Sequence, residues 1–138
     1  MLTQTKPDTD IKLRRGGWRS FAEGRCKSFV FAWNGVRVFF KTEANAQVHL
    51  FFTVVAVMLS FSLPLSKSEI LFIVFSVAFV WMAEIINTVI EKLVDFISVE
   101  SDPRIKIIKD MAAGAVLIAS AAALLAGLII FLPKLLTL

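Results

Sequence analysis

Three stretches of the chain are almost free of charged side chains, and they set the first structural prediction. Residues 44–66 contain no Lys, Arg, Asp or Glu, residues 70–83 are uncharged and strongly apolar, and residues 111–132 form a third uncharged run. A helix that crosses a bilayer needs about 20 mostly apolar residues to span a hydrocarbon core of about 30 Å. We therefore expect three membrane-spanning helices, at about residues 44–64, 68–91 and 110–132.

The segment before the first span shows an amphipathic pattern. At 100° per residue, four apolar side chains fall within roughly 60° of one another: Phe29, Trp33, Val36 and Phe40. This spacing predicts an N-terminal amphipathic helix that lies in the membrane interface. A helix packed on the bundle is an equal alternative. Residues 1–19 are expected to form a polar, basic tail, and residues 20–138 an integral membrane domain.

Local signals predict where the helices begin and end. Pro64 is expected to end the first span, and the capping-box sequence Ser66–Glu69 to start the second. No breaker follows until about residue 98, which gives a helix of roughly 30 residues, or about 45 Å, that extends beyond the bilayer. Asp102-Pro103 combines an N-cap residue with a proline at the first helical position and predicts the start of the third helix.

Small residues recur every four positions in the third span. They are Ala115, Ala119, Ala123 and Gly127. Such small residues let helix backbones approach closely in lipid. We expect this ridge to serve helix packing.

Composition supports the membrane assignment. Hydrophobic residues make up 57% of the 138 residues, charged residues 19%, and mean hydropathy is +0.77. Soluble domains have about 45–50% apolar residues, and a short soluble chain could not bury so large an apolar fraction. Cys26 and His49 are the single cysteine and histidine, which excludes an intramolecular disulfide and a His/Cys zinc cluster within one chain. The predicted fold class is an all-α membrane protein.

The positive charges predict the orientation. Thirteen of the 15 Lys and Arg residues precede residue 44 or lie between the second and third spans. Positively charged loops remain cytoplasmic, so we expect a cytoplasmic N-terminus. The sequence pI of about 9.5 then reflects topology and attraction to anionic lipids. We expect no nucleic-acid partner.

A polar stripe interrupts the second span. Its four members lie within roughly 80° of one helix face: Glu84, Asn87, Glu91 and Asp95. Glu84 is about 27 Å along the predicted helix, near the inner boundary of the hydrocarbon. A carboxylate at that depth is costly and is normally functional. The alternative is an acid that snorkels to the interface or serves helix packing.

Three further groups are expected at the same depth: Glu43, Lys109 and Asp110. Carboxylates, an amide and a lysine together suit Mg²⁺ and phosphate, although Lys109 alone is typical of a positive-inside anchor. The six glycines form no phosphate-binding loop, so any ATP would bind on helices. A small oligomeric ion transporter or channel subunit is the main alternative. A structural membrane adaptor would explain the basic N-terminus but not the stripe.

The stripe also resembles a family signature. Residues 84–95, EIINTVIEKLVD, are similar to the E-x-x-N-[ST]-[SA]-[LIV]-E-x-x-V-D motif of the bacterial diacylglycerol kinase family, with Val89 where a small residue is usual. The resemblance continues at residues 109–117, at Glu43 and at residues 28–35. Members are small trimeric lipid kinases of three spans. The resemblance implies ATP-dependent phosphorylation of a lipid alcohol by a homotrimer in the bacterial inner membrane, with Mg²⁺.

The resemblance also implies roles for residues. Glu84 would be the general base and Asn87 its polar support. Six further side chains would bind the nucleotide or its metal: Arg25, Glu43, Glu91, Glu100, Lys109 and Asp110. Of these, Glu43 and Glu91 would bind the Mg²⁺ of MgATP.

Two substrate branches, diacylglycerol and undecaprenol, are known in this family. The spacing of Glu43, Asn45 and His49 and the run at residues 112–114 resemble the undecaprenol branch, although Gln47 stands where that branch often has a basic residue. Asn45 and His49 lie about 160° and 120° from Glu43 on a helix, away from the expected metal. We therefore expect them to shape the surroundings of the lipid or an adjoining subunit. Hydrogen bonding to lipid headgroups is the alternative.

Overall fold

The described part of the chain forms four α-helices. The structure, a computed structural model, describes residues 18–97 and 102–137. The helices are α1 (Trp18–Thr42), α2 (Ala44–Ser62), α3 (Lys67–Ile97) and α4 (Pro103–Leu135). The last three are long and apolar enough to cross a membrane, which confirms the predicted all-α membrane fold. Residues 1–17 of the predicted tail lie outside the described residues, and so does Glu100.

The predicted helix boundaries depend on local hydrogen bonds, and those bonds are present. The backbone N–H of Ser66 donates to Oε2 of Glu69 at 2.7 Å, and the N–H of Glu69 donates to Oγ of Ser66 at 3.3 Å, which completes a capping box. Asp102 Oδ1 accepts from the N–H of Arg104 at 2.8 Å. Both predicted helix starts are confirmed, so the register of α3 and α4 is fixed from their first turns.

The last helix extends beyond the predicted span. The uncharged run suggested a span ending near residue 132, whereas α4 continues to Leu135 with Pro133 inside it. A proline lacks one backbone donor and restricts the preceding residue. So close to the C-terminus of α4, this costs the helix a single hydrogen bond, and the helix tolerates it.

The chain forms two compact units, Met1–Val36 and Arg37–Leu138. In the first unit, Phe29 is 77% exposed and Trp33 is 70% exposed. These are two members of the predicted apolar stripe of α1. The position of that stripe in the membrane interface stays a prediction.

In the second unit, one end of the bundle is closed where α2 meets α3. Four buried side chains form an apolar cluster there: Leu63, Ile73, Ile130 and Phe131. Lys134 of α4 lies over it, with Nζ 3.2 Å from Oε1 of Glu69 and 3.0 Å from the carbonyl oxygen of Pro64. These contacts tie α4 to the α2–α3 turn, at the end of α3 remote from Glu84.

Small residues of α4 provide the close packing against α3. Ala119 is 1% exposed and Ala112 is 8% exposed, whereas Ala115, a member of the predicted four-residue ridge, is exposed. Ala112 and Ala119 are seven residues apart, and a seven-residue repeat keeps one face of a helix against its partner, whereas a strict four-residue step drifts around the helix. The predicted packing role is thus confirmed at Ala119, and at Ala115 it stays a prediction, since that residue is exposed in the single chain.

We expect Ala119→Leu to lower the free energy of unfolding by about 1–3 kcal/mol, because three extra carbon atoms do not fit a packed helix interface. Ala122→Leu is the matched control, since Ala122 is exposed on the same helix. Denaturant titration of both variants in mixed micelles measures the difference. Equal stabilities would show that α4 does not pack tightly at residue 119.

Candidate active site

The site centres on Glu84, whose carboxylate is buried inside an apolar helix. Glu84 is 2% exposed and is the largest fully buried side chain of the described residues. Its Oε2 atom has no hydrogen-bond partner there. The continuous α3 places Glu84 one turn after the buried Val80, on the packed face. Burying an unsatisfied polar atom costs about 1–3 kcal/mol, so a functional use explains this residue better than packing does.

Asn87 continues the polar face one turn further. It is 6% exposed, and its Nδ2 donates to Oε1 of Glu91 at 3.1 Å. Its own Oδ1 is buried without a hydrogen-bond partner. Asn87 therefore orients the carboxylate of Glu91 and leaves an acceptor atom beside Glu84 on the same face of α3.

Glu43 reaches the same region from the junction of α1 and α2. Its extended backbone separates the two helices, and its Oε1 accepts from Lys92 Nζ at 2.8 Å and from the Thr42 hydroxyl at 2.8 Å. The hydrogen bond from Lys92, followed by that from Thr42, holds the pKa of Glu43 below its ordinary value. Glu43 is thus an ionised carboxylate next to the residue that follows Glu91.

A cation from α4 completes the described site. Lys109 Nζ donates to Oδ1 of Asp95, the last member of the stripe. This ion pair joins the start of α4 to the end of α3. Of the two predicted phosphate-binding residues, Lys109 is thus joined to the stripe by an ion pair, whereas Asp110 is exposed.

The described contacts do not test the two remaining predicted site residues. Arg25 is an exposed residue of the first compact unit, and Glu100 lies outside the described residues. Within residues 18–97 and 102–137, no three His, Cys, Asp or Glu side chains come together as a metal cage. Magnesium bound with a nucleotide takes one or two carboxylates together with phosphate oxygens, and Glu43 and Glu91 supply that chemistry. Their role as metal ligands stays a prediction.

One contact of the site was not predicted. His49 Nε2 lies 3.8 Å from Oε2 of Glu84, whereas Asn45 is exposed. Helical angles measured from Glu43 predicted that His49 lies near a lipid or a neighbouring subunit. The contact with Glu84 was missed because no spacing signal relates two residues 35 positions apart. The available signal was a polar residue, His49, in the otherwise apolar helix α2.

The pairing of Glu43 with Lys92 can be tested directly. Lys92→Met should raise the pKa of Glu43 toward its ordinary value, since the hydrogen bond from Lys92 is the largest cause of the lowering. The pair's stabilising contribution is present at neutral pH and is lost as the pH falls through that lowered pKa. It is small because both groups contact solvent.

The measurement is the pH dependence of the Glu43 carboxyl ¹³C shift. Lys106→Met is the control, since Lys106 is an exposed cation of α4. An unchanged titration of Glu43 in Lys92→Met would show that the ion pair does not form in solution.

The fold and the site together define a class: a small helical membrane protein with a buried acid midway along a helix that is long and apolar enough to span the membrane, and with paired charges beyond that acid. The chain belongs to the prokaryotic diacylglycerol kinase family, whose sequence profile matches residues 30–131. The predicted family resemblance is therefore confirmed.

Two relatives support this membership. A protein of Synechocystis sp. named diacylglycerol kinase is 35% identical over 139 residues, which cover 100% of this chain and 79% of the relative. A Bacillus subtilis protein named undecaprenol kinase is 38% identical over 109 residues, or 79% of this chain and 89% of that relative. Neither relative supports the ion-transporter alternative.

Proposed function

We propose that this protein is a lipid kinase that transfers the γ-phosphoryl group of ATP to the hydroxyl of a membrane lipid alcohol, undecaprenol or diacylglycerol. The observation that carries the proposal is the buried carboxylate of Glu84, with an unpartnered oxygen, on a helix apolar enough to span a membrane. Family membership and the names of both relatives support the same reaction.

The reaction needs a base and a means of positioning phosphates. The lipid oxygen forms a bond to the γ-phosphorus, the bond from that phosphorus to the bridging oxygen breaks, and ADP leaves with that oxygen. The hydroxyl proton passes to Glu84. Because a primary hydroxyl is a weak nucleophile, a positioned carboxylate accelerates this step, while the rest of the catalysis is orientation and charge neutralisation.

The other residues receive roles by their chemistry. Asn87 supports Glu84 and orients Glu91 through its amide. Glu43 and Glu91 hold the Mg²⁺ of MgATP, which neutralises phosphate charge when bound. Four further residues are assigned to the nucleotide and its phosphates, in agreement with the family resemblance: Arg25, Glu100, Lys109 and Asp110.

We further propose that the N-terminus is cytoplasmic and that the functional unit is a homotrimer. The distribution of Lys and Arg supports the orientation, and it puts Glu84 near the cytoplasmic boundary, where a lipid hydroxyl and cytosolic ATP meet. The large apolar side chains exposed on all three spans leave surface for lipid and for neighbouring subunits. Chemical cross-linking in native membranes tests the trimer.

The test of the function uses the purified full-length protein in micelles with radiolabelled MgATP and a panel of lipid alcohols. Transfer of label into a lipid phosphate, with one ADP formed per lipid, supports the proposal. The absence of labelled product from every lipid would overturn it. Ion flux in liposomes without ATP consumption would favour a transporter instead.

Within that panel we expect undecaprenol to be the preferred substrate and diacylglycerol the second. The resemblance of the residues from Glu43 to His49 to the undecaprenol branch motivates this prediction. Specificity is the ratio of kcat/KM values, so both lipids are compared in identical micelles. A higher kcat/KM for diacylglycerol would overturn the preference and leave the kinase assignment intact.

A further inference from the structure

A polar group from another helix lies close to the proposed base. Nε2 of His49, on α2, lies 3.8 Å from Oε2 of Glu84 on α3. The imidazole side chain is 17% exposed and the carboxylate side chain 2%, so water gives little competition for this contact. A hydrogen bond needs a distance of about 3.2 Å or less, and a small rotation of either side chain closes the difference.

A network of contacts holds this histidine in place. The hydroxyl of Thr53, one turn after His49, donates to the His49 carbonyl oxygen at 2.7 Å. Nε1 of Trp81, one turn before Glu84, donates to the Thr53 hydroxyl at 3.1 Å. Trp81 also contacts the imidazole edge to face, with ring centroids 6.2 Å apart. The two helices are therefore fixed next to the pair, and the approach of His49 to Glu84 is defined by packing.

Aromatic side chains from the end of α1 reinforce the network. Phe39, which is 5% exposed, and Phe40 pack on Trp81 with ring centroids 6.1 and 4.9 Å away. Edge-to-face pairs such as Phe39 with Trp81 stabilise a fixed arrangement. Three aromatic rings and two hydrogen bonds therefore stabilise the region around His49 and Glu84.

A base needs one carboxylate oxygen aimed at the reacting hydroxyl. A free carboxylate rotates about its last bond and presents either oxygen, whereas a donor to Oε2 fixes the group and leaves Oε1 to accept the proton. In enzymes with an activated nucleophile, the base is commonly oriented by a third group in this way. Both the Nε2–H tautomer and the imidazolium supply the donor, so this role does not depend on a change of protonation.

We propose that His49 is a positioning residue for the lipid kinase reaction: it donates from Nε2 to Oε2 of Glu84 and orients this carboxylate toward the lipid hydroxyl. The inference rests on the proposed function and adds a residue to it. His49 also lines an otherwise mostly apolar cavity of about 560 Å³ between α2, α3 and α4. The test therefore has to separate positioning of Glu84 from direct contact with a lipid chain.

Two matched pairs of substitutions provide that separation. His49→Phe keeps an aromatic ring against Trp81 and removes the donor. His49→Gln keeps an N–H at about the distance of Nε2, whereas His49→Asn has the same amide on a side chain one carbon shorter, which cannot reach Glu84. Gln47→Leu, at an exposed position of α2, is the control for loss of a polar group from this helix.

We expect His49→Phe and His49→Asn to lower kcat roughly tenfold or more, since misplacing a reacting group by about 1 Å costs rates of that order. KM for MgATP and for the lipid should change less than about twofold, because neither binding step uses the contact. His49→Gln should recover most of the wild-type kcat, and Gln47→Leu should retain it. The Asn and Gln pair decides the question if His49→Phe does not fold.

Three results would overturn the inference while leaving the proposed function intact: wild-type kcat in His49→Phe, equal losses in His49→Asn and His49→Gln, or a rise in the lipid KM at constant kcat. The last result would assign His49 to lipid contact. Failure of the proposed function is recognised separately, because wild-type protein would then transfer no phosphate to any lipid.

Discussion

Glu84→Gln is expected to lower kcat about 100-fold or more, the scale on which a general base contributes to catalysis. Glutamine has nearly the same shape as glutamate but cannot accept the hydroxyl proton. Glutamine also keeps an amide oxygen that accepts from His49 Nε2, the group 3.8 Å from Glu84 Oε2, so the substitution leaves no donor there without an acceptor. We therefore expect folding and the apparent affinity for MgATP to stay close to wild type.

The same substitution in the first turn of α3 is the control. Glu69→Gln changes a carboxylate that serves the capping box and contacts Lys134, far from the proposed chemistry. Its effect should be on stability, with kcat near the wild-type value. Wild-type kcat in Glu84→Gln would end the assignment of Glu84 as the base, and loss of MgATP binding in that variant would move Glu84 into the nucleotide site.

Local and periodic signals predicted most of the fold. The spans follow from uncharged runs, and the starts of α3 and α4 follow from the capping box and from Asp102, because these signals act within one helical turn. The burial of Glu84 and Asn87 was also predictable, since helical periodicity alone puts them on the face that packs. The face of α3 that carries these two side chains was therefore predictable before any tertiary contact was known.

Contacts between helices were not predictable from such signals. The apolar stripe proposed for α1 included Phe40, whereas its neighbour Phe39 is the residue that is buried and packs on Trp81 among residues 24–42. Aromatic side chains occur on several faces of α1, so its periodicity does not select the packed face. The pairing of His49 with Glu84 depends on how α2 crosses α3, and a single sequence carries no marker of that crossing.

Substitution of the two proposed metal ligands should change the magnesium requirement. Glu43→Gln and Glu91→Gln are each expected to raise the Mg²⁺ concentration at half-maximal rate roughly 10- to 100-fold, the range typical of lost metal-site interactions. A neutral amide binds a hard cation more weakly than a carboxylate does. In Glu91→Gln the Asn87 amide also loses a charged acceptor. We therefore expect Glu91→Gln to need more Mg²⁺ for its half-maximal rate than Glu43→Gln does.

The double variant shows whether both residues serve one ion. If Glu43 and Glu91 bind the same Mg²⁺, the loss in the double variant should be smaller than the product of the two single losses, because a site without one ligand has less to lose from the second. Lys92→Met is the control for Glu43, since it removes the ion-pair partner and keeps the carboxylate. Magnesium titrations of both single variants that superimpose on wild type would make the two acids structural.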